Sequence, residues 1–458
     1  MLNLPRTGAI IMSDTPNELT AAEAGRRIAR GELTSEALVT ACLERIAARD
    51  RDVRAWAFLD ADLALAQARR LDRESPRSPL HGVPFGIKDV IDTADMPTEY
   101  NSPIYRGHQP KWDAACVALL RQAGCVILGK TVSTEFANNH PSQTHNPHNL
   151  AHTPGGSSSG SAAAVADHMV PLALGTQTGG STIRPAAYCG VVGYKPSFNS
   201  INRAGLKFVA ESLDTIGVLA RSAEDAALGL QILSGRTAPD FSQPPASSLQ
   251  VLSGHASPDV AQPRTGIPRI GVCRTPRWHD ADAPTHAAIE RVASQLAKAG
   301  ARVEDFELPA GTERLFDDHG KIMGYESARA LAWEYLNHPD QISATLRPRL
   351  DEGWQLSRES YDAARALARD CRRRLADSMR NYDFLLTPSA PGEAPDNLGT
   401  TGSSVFNRVW TLFGVPCVTL PCGAGPRGLP LGVQLVGSFD GDVELLAWAH
   451  WAEQSINP

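Results

Sequence analysis

Residues 151–196 read AHTPGGSSSGSAAAVADHMVPLALGTQTGGSTIRPAAYCGVVGYKP. This stretch places two glycine–serine clusters on either side of a run of small apolar residues. A serine held among glycines indicates a nucleophile beside backbone N–H donors. No histidine accompanies these serines in a familiar serine-hydrolase pattern, so a base must come from elsewhere in the chain.

Three other interpretations of these clusters compete with a nucleophile. Gly/Ser-rich segments are most often flexible linkers, but the run AAAVADHMVPLAL between the clusters is core material. Residues 175–182 match the phosphate-loop pattern G-x-x-x-x-G-K-[S/T], except that Ser181 replaces the lysine that reaches the outer phosphates. GSSSG fits G-x-S-x-G around Ser158, but a loop precedes it where a nucleophile elbow needs a strand. Phosphate binding stays open as an alternative that nucleotide calorimetry would test.

Composition and charge exclude several classes of protein. Of 458 residues, 42% are hydrophobic and 21% charged, a balance that can bury a large core. A net charge of −6 gives no electrostatic reason to expect a nucleic acid or a membrane as partner. No apolar run approaches the about 18 residues that a membrane helix needs. Residues 1–12 are too short and too weakly basic for a signal peptide.

The cysteines and histidines show no disulfide or metal pattern. The eight cysteines lie mostly in apolar runs without C-x-x-C, so we expect reduced core residues of a cytoplasmic protein. The 13 histidines have no zinc spacing, and we expect neither a metal nor a cofactor. We interpret the histidine-rich segment 138–153 as a polar loop that lines a pocket.

Helical and strand patterns alternate along the chain, which predicts an α/β fold. Apolar residues recur at helical spacing over about 20–49, with helix starts at Thr20 and Thr34, and a second helix covers about 60–73. Further helices are predicted in SGSAAAVA, over 284–300 and across the charged region 312–381. Strands are predicted in HGVPFGIKDVID, CVILGK, VPLALGTQT, IPRIGVCR, ARVEDFEL, YDFLLTPSAP, VPCVTLPCG and LPLGVQLVG.

We expect one domain over residues 16–458, preceded by a loose tail at 1–15. Met12 begins a segment that resembles a more natural translation start than Met1. The domain divides into N-terminal helices (20–73), a core (79–235), a Pro/Ser/Gly-rich linker loop (236–266) and a C-terminal half that completes the core (267–458).

Several separated motifs resemble the amidase signature family. GGSSSGSAAAVA and LGTQTGGSTIRPAAYCGVVGYKPS follow its glycine–serine signature nearly residue for residue. Similar features extend from PLHGVPFGIKD (79–89) through GKTVSTEFA (129–137) to LPLGVQLVG (429–437). The resemblance therefore covers most of the chain. It implies the fold of that family, an α/β architecture with a mixed central β-sheet covered by helices on both faces.

The resemblance also assigns roles to residues. It makes Ser181 the nucleophile, Ser157 the bridging serine and Lys88 the base. In the family, the counterpart of Ser157 lies on a cis peptide bond. The backbone N–H groups implied for the oxyanion hole are those of Thr178, Gly179, Gly180 and Ser181.

Two further residues are implied as supporting the site. Ser158 is expected either to join the hydrogen-bond network or to cap the helix that follows. Gln177 stands where many family members have aspartate. Those members also carry arginine two residues past the nucleophile, where this chain has Ile183, with Arg184 one step later. If the aspartate and arginine form an ion pair, losing both leaves neither charge buried alone.

The proposed base needs a dry environment. A lysine acts as a base only when neutral, which requires a pKa lowered from about 10.4 toward about 7–8. A shift of about 3 units corresponds to about 4 kcal/mol, within the reach of desolvation. The apolar neighbours of Lys88 in GVPFGIKDVI offer that setting. The alternative is a solvated lysine at a strand end. Asp89 is expected to be either an ion-pair partner or a cap for the next turn.

The implied function is a serine amidohydrolase that cleaves a small or aryl/alkyl amide, a carbamate or an ester through an acyl-enzyme. The alternative is an amidotransferase-type subunit of a transamidation complex that depends on a partner chain. Assembly of several copies of this chain into a homo-oligomer is an open alternative. We expect the segment 198–212 and the region 312–381 to shape the pocket. Candidate lining residues are Phe198, Phe208, Tyr325, Trp333 and Trp410, although for each an ordinary core or surface aromatic is the favoured interpretation over a specificity contact.

Overall fold

The computed structural model describes residues 15–138, 140–239, 241 and 267–456. Met12 and the predicted tail therefore lie outside the described residues, apart from Thr15. Most of the predicted linker 236–266 also lies outside them, and its described residues, 236–239 and 241, belong to no helix or strand.

Alternating helices and strands follow the predicted α/β pattern. The strands are β1 (Trp56–Leu59), β2 (Pro84–Lys88), β3 (Val126–Thr131), β4 (Leu172–Gln177), β5 (Val192–Lys195), β6 (Thr215–Ala220), β7 (Arg269–Val272), β8 (Arg302–Asp305), β9 (Phe384–Pro388), β10 (Cys417–Ala424) and β11 (Pro430–Val436). The helices are α1 (Ala21–Ala29), α2 (Ser35–Val53), α3 (Ala61–Leu71), α4 (Ala115–Gln122), α5 (Ser159–Ala166), α6 (Ile183–Cys189), α7 (Ala223–Ser234), α8 (Ala283–Lys298), α9 (Leu315–Ala330), α10 (Ala332–Asn337), α11 (Arg347–Gln355), α12 (Arg358–Met379), α13 (Val405–Phe413) and α14 (Asp442–Ile456).

The helix starts predicted at Thr20 and Thr34 are confirmed. Each threonine is an N-cap whose hydroxyl accepts a hydrogen bond from the backbone N–H three residues on. The single apolar pattern over 20–49 corresponds to two helices, α1 and α2. The chain breaks between them at Gly31, which adopts a φ of 70° that glycine tolerates readily.

Within the described residues, all the strands lie in one mixed sheet of 11 strands, in the order β1-β3-β2-β4-β6-β5-β10-β11-β9-β7-β8. Strand β2 runs parallel to both β3 and β4, and β7 runs parallel to both β8 and β9. The other neighbours are antiparallel, including β5 and β10, which join the earlier strands to the later ones. The helices surround this sheet, and its strands are largely buried among them.

This topology brings two strand ends together. Strands β2 and β4 are parallel neighbours in which Ile87 pairs with Leu174, so their carboxyl ends meet at one edge. Lys88 is the last residue of β2, and Gln177 is the last residue of β4. Ligands commonly bind at the carboxyl ends of parallel strands, so a site is expected at this edge.

Along the described part of the chain, no helix combines the length and the apolar character required to cross a bilayer.

Candidate active site

Lys88 is fully buried at the end of β2. Its Nζ donates hydrogen bonds to Oγ of Ser157 and to Oγ1 of Thr176, both at 2.6 Å. Thr176 lies near the end of the adjacent strand β4, and Ser157 lies just before α5. The parallel pairing of β2 with β4 therefore places Lys88 beside Thr176. At this position its Nζ also reaches the hydroxyl of Ser157.

Burial lowers the pKa of Lys88 well below its ordinary range, and the nearby Asp214 carboxylate opposes that shift to a smaller degree. Both hydrogen-bond partners of Lys88 are neutral hydroxyl groups. A neutral amine has a lone pair, so at this position it can accept the proton of Ser157.

A second buried lysine shows a different arrangement. Lys130 donates to the carbonyl of Ile91 at 2.6 Å and to Oγ1 of Thr98 at 2.5 Å, and its Nζ lies 3.7 Å from Asp89. Its pKa is lowered to about 8, again first because of burial, with Asp89 opposing the shift. Asp89 is thus the ion-pair partner of Lys130.

The residues around Ser157 hold it against both strands. The peptide bond between Gly156 and Ser157 is cis. The carbonyl of Ser157 accepts a hydrogen bond from the N–H of Thr134 at 3.2 Å. The hydroxyl of Ser158 pairs with both the N–H and the carbonyl of Thr176, each at 3.2 Å. Of the two roles expected for Ser158, the structure shows the network contact with Thr176, and among the described residues its side chain makes no capping hydrogen bond to α5.

The loop over residues 178–181 follows β4, and its carbonyl groups are all occupied. The four carbonyls accept hydrogen bonds as follows: Thr178 from Nε2 of His319 at 2.9 Å, Gly179 from Oγ1 of Thr411 at 3.0 Å, Gly180 from the N–H of Arg184 at 2.9 Å and Ser181 from the N–H of Ser158 at 3.4 Å. For the N–H groups of the same four residues, the described part of the chain supplies no acceptor. Four backbone donors are therefore left available beside the Ser181 side chain.

Gln177 fixes the other end of this loop. Its Oε1 accepts hydrogen bonds from the N–H groups of Thr182 at 3.0 Å and Ile183 at 3.1 Å, and its Nε2 donates to Oγ1 of Thr411 at 3.1 Å. A neutral carboxamide thus caps α6 and anchors the loop to α13. Ile183, which stands where many family members carry arginine, is fully buried beside it.

Ser181 is 9% exposed and lines a cavity of about 740 Å³. The loop 178–181 forms one wall, and α9, α11 and α13 with their flanking residues form most of the rest. This volume suits a small-molecule site.

The family model described as Amidase matches residues 37–446. The chain belongs to the amidase family. Its curated relatives include a component of the Glutamyl-tRNA(Gln) amidotransferase of Roseiflexus castenholzii, which is 36% identical over 92% of this chain and 93% of that protein. The corresponding component from Acidobacterium capsulatum is 34% identical over 90% of this chain and 94% of that protein.

Solved structures agree with this assignment. The peptide amidase from Stenotrophomonas maltophilia is 31% identical with a TM-score of 0.78, covering 96% of this chain and 97% of that one. Another crystal structure of an amidase is 30% identical with a TM-score of 0.84, covering 96% and 100%. The fold expected from the sequence is therefore confirmed. As an amidase, the chain is an enzyme that acts on carbon–nitrogen bonds of amides.

The cavity of this amidase is rich in cationic side chains. Among the described residues, four cationic side chains line it: Arg184, Lys321, Arg349 and Arg408. In the same described part, two carboxylates, those of Asp317 and Glu352, also line it. Only Arg184 was singled out from the sequence, and only as a displaced family residue. The other three lie in α9, α11 and α13, and no local motif marks them.

Arg184 is held by oxygens of loop residues and not by a carboxylate. It donates to the carbonyls of Gly402 at 2.8 Å and Gly156 at 2.5 Å, and to Oγ1 of Thr401 at 3.2 Å. Burial lowers its pKa to about 10, and its Nε is buried without a hydrogen-bond partner among the described residues. The arginine retains its charge at neutral pH because this pKa is well above 7.

Arg408 is a second cation of the cavity that is held by a neutral oxygen. Its Nε donates to Oγ of Ser404 at 3.0 Å. Burial lowers its pKa, and the neighbouring cations Arg349 and Arg277 lower it further. The pKa of His319, buried against the loop, falls to about 4 because of its burial and then of Arg408. His319 is thus neutral at pH 7.

The aromatic residues proposed for the pocket do not line the Ser181 cavity. Phe198, Phe208 and Tyr325 line a separate cavity, Trp410 is fully buried, and Trp333 is 54% exposed. The favoured interpretation of these side chains as ordinary core or surface aromatics therefore agrees with the structure, and residues of the segment 198–212 line the other cavity and not this one. Within the region 312–381, α9 and α11 form much of the wall of the Ser181 cavity.

The histidine-rich segment 138–153 also lies mostly elsewhere. Within its described part, Asn138 lines the Ser181 cavity. His148 and His152 instead hydrogen-bond to the carbonyls of Cys189 and Ala394. Across the described residues, no group of three or more potential ligands is placed to hold a metal ion.

Proposed function

We propose that this amidase cleaves a small amide through an acyl-enzyme on Ser181, with Ser157 as proton relay and Lys88 as base. The observation that carries the proposal is the 2.6 Å contact between Nζ of Lys88 and Oγ of Ser157 in a dry site. Burial lowers the pKa of this lysine, which favours its neutral form. Thr176 holds the amine in place through its hydroxyl.

In the proposed reaction, the Ser181 oxygen attacks the amide carbon, while its proton passes to Ser157 and the proton of Ser157 passes to Nζ. The free N–H groups of residues 178–181 stabilise the resulting oxyanion, each worth about 3 kcal/mol. The carbon–nitrogen bond then breaks, and a proton returns through Ser157 to the leaving nitrogen. Water attacks the acyl-enzyme by the same relay, which releases the acid and restores Ser181.

Covalent labelling tests the nucleophile directly. Phenylmethanesulfonyl fluoride should sulfonylate Ser181, and peptide mass spectrometry should place the added mass on that residue. Ser181→Ala should lose both the label and turnover while retaining the thermal unfolding temperature. The matched control is Ser378→Ala, an exposed serine on α12, which should label and turn over as the parent does. Turnover by a folded Ser181→Ala protein would reject the proposal.

The charges of the cavity support a more specific substrate, an amide that carries a carboxylate. Arg184 and Arg408 line the cavity with Ser181 and have no carboxylate within ion-pair distance among the described residues. An anionic acyl group would supply that missing charge. In this proposal the amide carbon of the substrate faces the loop 178–181, and the substrate carboxylate lies at the other end of the acyl group.

Paired substrates test this preference. Succinamate and butanamide have similar size and differ in the terminal carboxylate. We expect kcat/KM for succinamate to be at least tenfold higher, and Arg408→Gln to remove that ratio mainly through KM. Arg358→Gln, on the exposed side of α12, is the control and should keep the ratio. Equal use of both amides by the parent enzyme would contradict the anionic-substrate proposal while leaving the Ser181 chemistry intact.

A second candidate is that this chain works as one component of an amidotransferase, together with a partner. The curated relatives, at 36% and 34% identity over nearly their full length, are components of such an enzyme. The same acyl-enzyme chemistry supports both functions. Attack on a primary amide releases ammonia, which either leaves to solvent or passes to a partner, and in both cases water then hydrolyses the acyl-enzyme. All eight cysteines are free and buried, which supports a reducing, cytoplasmic setting for either function.

Assaying the purified chain alone separates the two candidates. A stand-alone amidase should release product from succinamate or from an aryl anilide at a kcat within the usual enzyme range of about 1–1,000 s⁻¹. A partner-dependent chain should fall orders of magnitude below that range while phenylmethanesulfonyl fluoride still labels Ser181. The label therefore distinguishes an idle but intact site from an absent one.

A further inference from the structure

A second cavity, of about 890 Å³, lies on the other side of α9 from the Ser181 cavity. Helix α9 turns Tyr325 and Glu326 toward this cavity and Gly324 and Ser327 toward the Ser181 cavity. Helix α12 and the segment around residues 198–213 form the remaining walls. Nothing in the proposed acyl chemistry uses this second space.

Cationic side chains dominate its walls. Among the described residues that line it, the carboxylates are Glu211 and Glu326, and the cations are Arg203, Lys207, Arg329, Arg365, Arg369 and Arg372. Lys207 forms an ion pair with Glu334. None of the five arginines lies within ion-pair distance of a carboxylate in the described part of the chain.

Three of these arginines repel one another on one helix. Arg365, Arg369 and Arg372 stand four and three residues apart on α12, so they share a face, where like charges destabilise a helix. Burial, Arg365 and Arg369 all lower the pKa of Arg372, and its Nε is buried without a partner among the described residues. Such an arrangement favours binding of an anion, which would offset the repulsion.

The same cavity has flat surfaces on which a ring can stack. The Arg203 guanidinium lies 4.5 Å from the ring centre of Phe198 and 5.1 Å from that of Phe208. Tyr325 and Tyr361 stack with ring centres 4.3 Å apart. An aromatic group that enters here meets rings and a guanidinium plane, both of which stack favourably.

We propose that this cavity is a binding site for a small aromatic anion, whose charged group meets Arg365, Arg369 and Arg372 and whose ring lies against Phe198, Phe208 and Arg203. The cavity volume is that of a small-molecule site. The site is separate from the Ser181 cavity, so the proposal does not depend on the proposed reaction.

Calorimetric titration of the purified full chain with phenyl phosphate tests the proposal. We expect phenyl phosphate to bind at least tenfold more tightly than either inorganic phosphate or phenol, because it alone combines ring and charge. Arg365→Gln with Arg369→Gln should weaken its binding at least tenfold. Arg369→Gln alone, a change at an exposed side chain, keeps the test valid if the double variant is unstable, and it should weaken binding at least threefold.

Two controls locate the site. Arg373→Gln lies on the exposed face of the same helix and should bind phenyl phosphate as the parent does. Arg408→Gln alters the Ser181 cavity and should also leave the affinity unchanged. Absence of binding, equal affinity for phosphate and phenyl phosphate, or loss of binding in Arg408→Gln but not in Arg369→Gln would each overturn the proposal.

Discussion

Lys88 and Lys130 are both fully buried, and their neighbours decide what each can do. Lys130 has a carboxylate nearby and several oxygen acceptors, which hold an ammonium ion. Lys88 contacts two hydroxyls, one of which belongs to Ser157. Burial without a contacting counter-ion favours the neutral amine, so Lys88 is the lysine suited to take up a proton.

The first prediction concerns the pH dependence of the reaction. Below the lowered pKa of Lys88 the amine is protonated and cannot act as a base, so kcat/KM should fall about tenfold per pH unit on the acid side. Lys88→Arg keeps the charge at all these pH values and should lose about 10⁴-fold or more in kcat, with no recovery as the pH rises. Stopped or continuous assays across about pH 5–10 measure both.

Its matched control is Lys298→Arg, an exposed lysine at the end of α8, which should reproduce the parent profile. A Lys88→Arg enzyme with the parent's acid limb would show that another group titrates.

The second prediction concerns Gln177, whose carboxamide serves three partners at once. Gln177→Met keeps the side-chain length but leaves the buried N–H groups of Thr182 and Ile183 without an acceptor. Unsatisfied buried groups cost about 1–3 kcal/mol each, so the free energy of unfolding should fall by about 3 kcal/mol. Since the loop 178–181 loses its anchor, kcat should fall more than KM rises.

Denaturant titration and steady-state kinetics measure these two effects. Gln454→Met, at an exposed position of α14, is the comparison variant and should change neither quantity. An unchanged kcat in Gln177→Met would show that catalysis does not depend on the Gln177 anchor of the loop 178–181.

Patterns within one element were readable from the sequence, whereas contacts between distant elements were not. Buried strands such as β2 and β4 stood out as short apolar runs, and the caps of α1 and α2 stood out as threonines. Strands β1, β5 and β6 were not predicted. Their length is not the reason, because β7 and β8 are as short as β1 and β5 and were predicted. The cavity arginines on α11 and α13 lie far along the chain from Ser181 and approach it only once the whole domain folds, so no local motif predicts them.

The third prediction concerns the crossing of α9 and α11. A Cβ added at Gly353 would lie 2.2 Å from the carbonyl oxygen of Gly324 and 2.9 Å from Cβ of Ala328. Both helices line the Ser181 cavity, so Gly353→Ala should push them apart, raise KM and cost about 2–4 kcal/mol of stability.

Gly320→Ala provides the matched comparison on α9, because no heavy atom lies within 4 Å of the added Cβ. Replacing a helix-interior glycine there should raise the free energy of unfolding by about 0.5–1 kcal/mol. Denaturant titration of both variants checks the contrast. A Gly353→Ala protein as stable as the parent would mean that the two backbones can separate at no cost.

The size of the whole molecule favours several domains, yet its sheet argues for one. Single cores usually stop growing at about 250–300 residues, and this chain has 458. Nevertheless, β5 pairs with β10 in register from Lys195 with Cys417 to Gly193 with Thr419, so the earlier and later halves share one sheet. One contiguous cluster of buried residues includes both Leu38 of α2 and Leu386 of β9.

The fourth prediction follows from that continuity: the chain should unfold in a single cooperative transition, as expected if the predicted single domain over 16–458 is correct. Leu38→Ala in α2 and Leu386→Ala in β9 each remove a fully buried side chain, one early and one late in the chain. Each should lower the free energy of unfolding by about 2–5 kcal/mol. In differential scanning calorimetry both variants should lower the same transition, and the heat should remain one peak. Two peaks, with each variant moving a different one, would instead divide the molecule at the pairing of β5 with β10 and place Ser181 and Arg408 in separately unfolding halves.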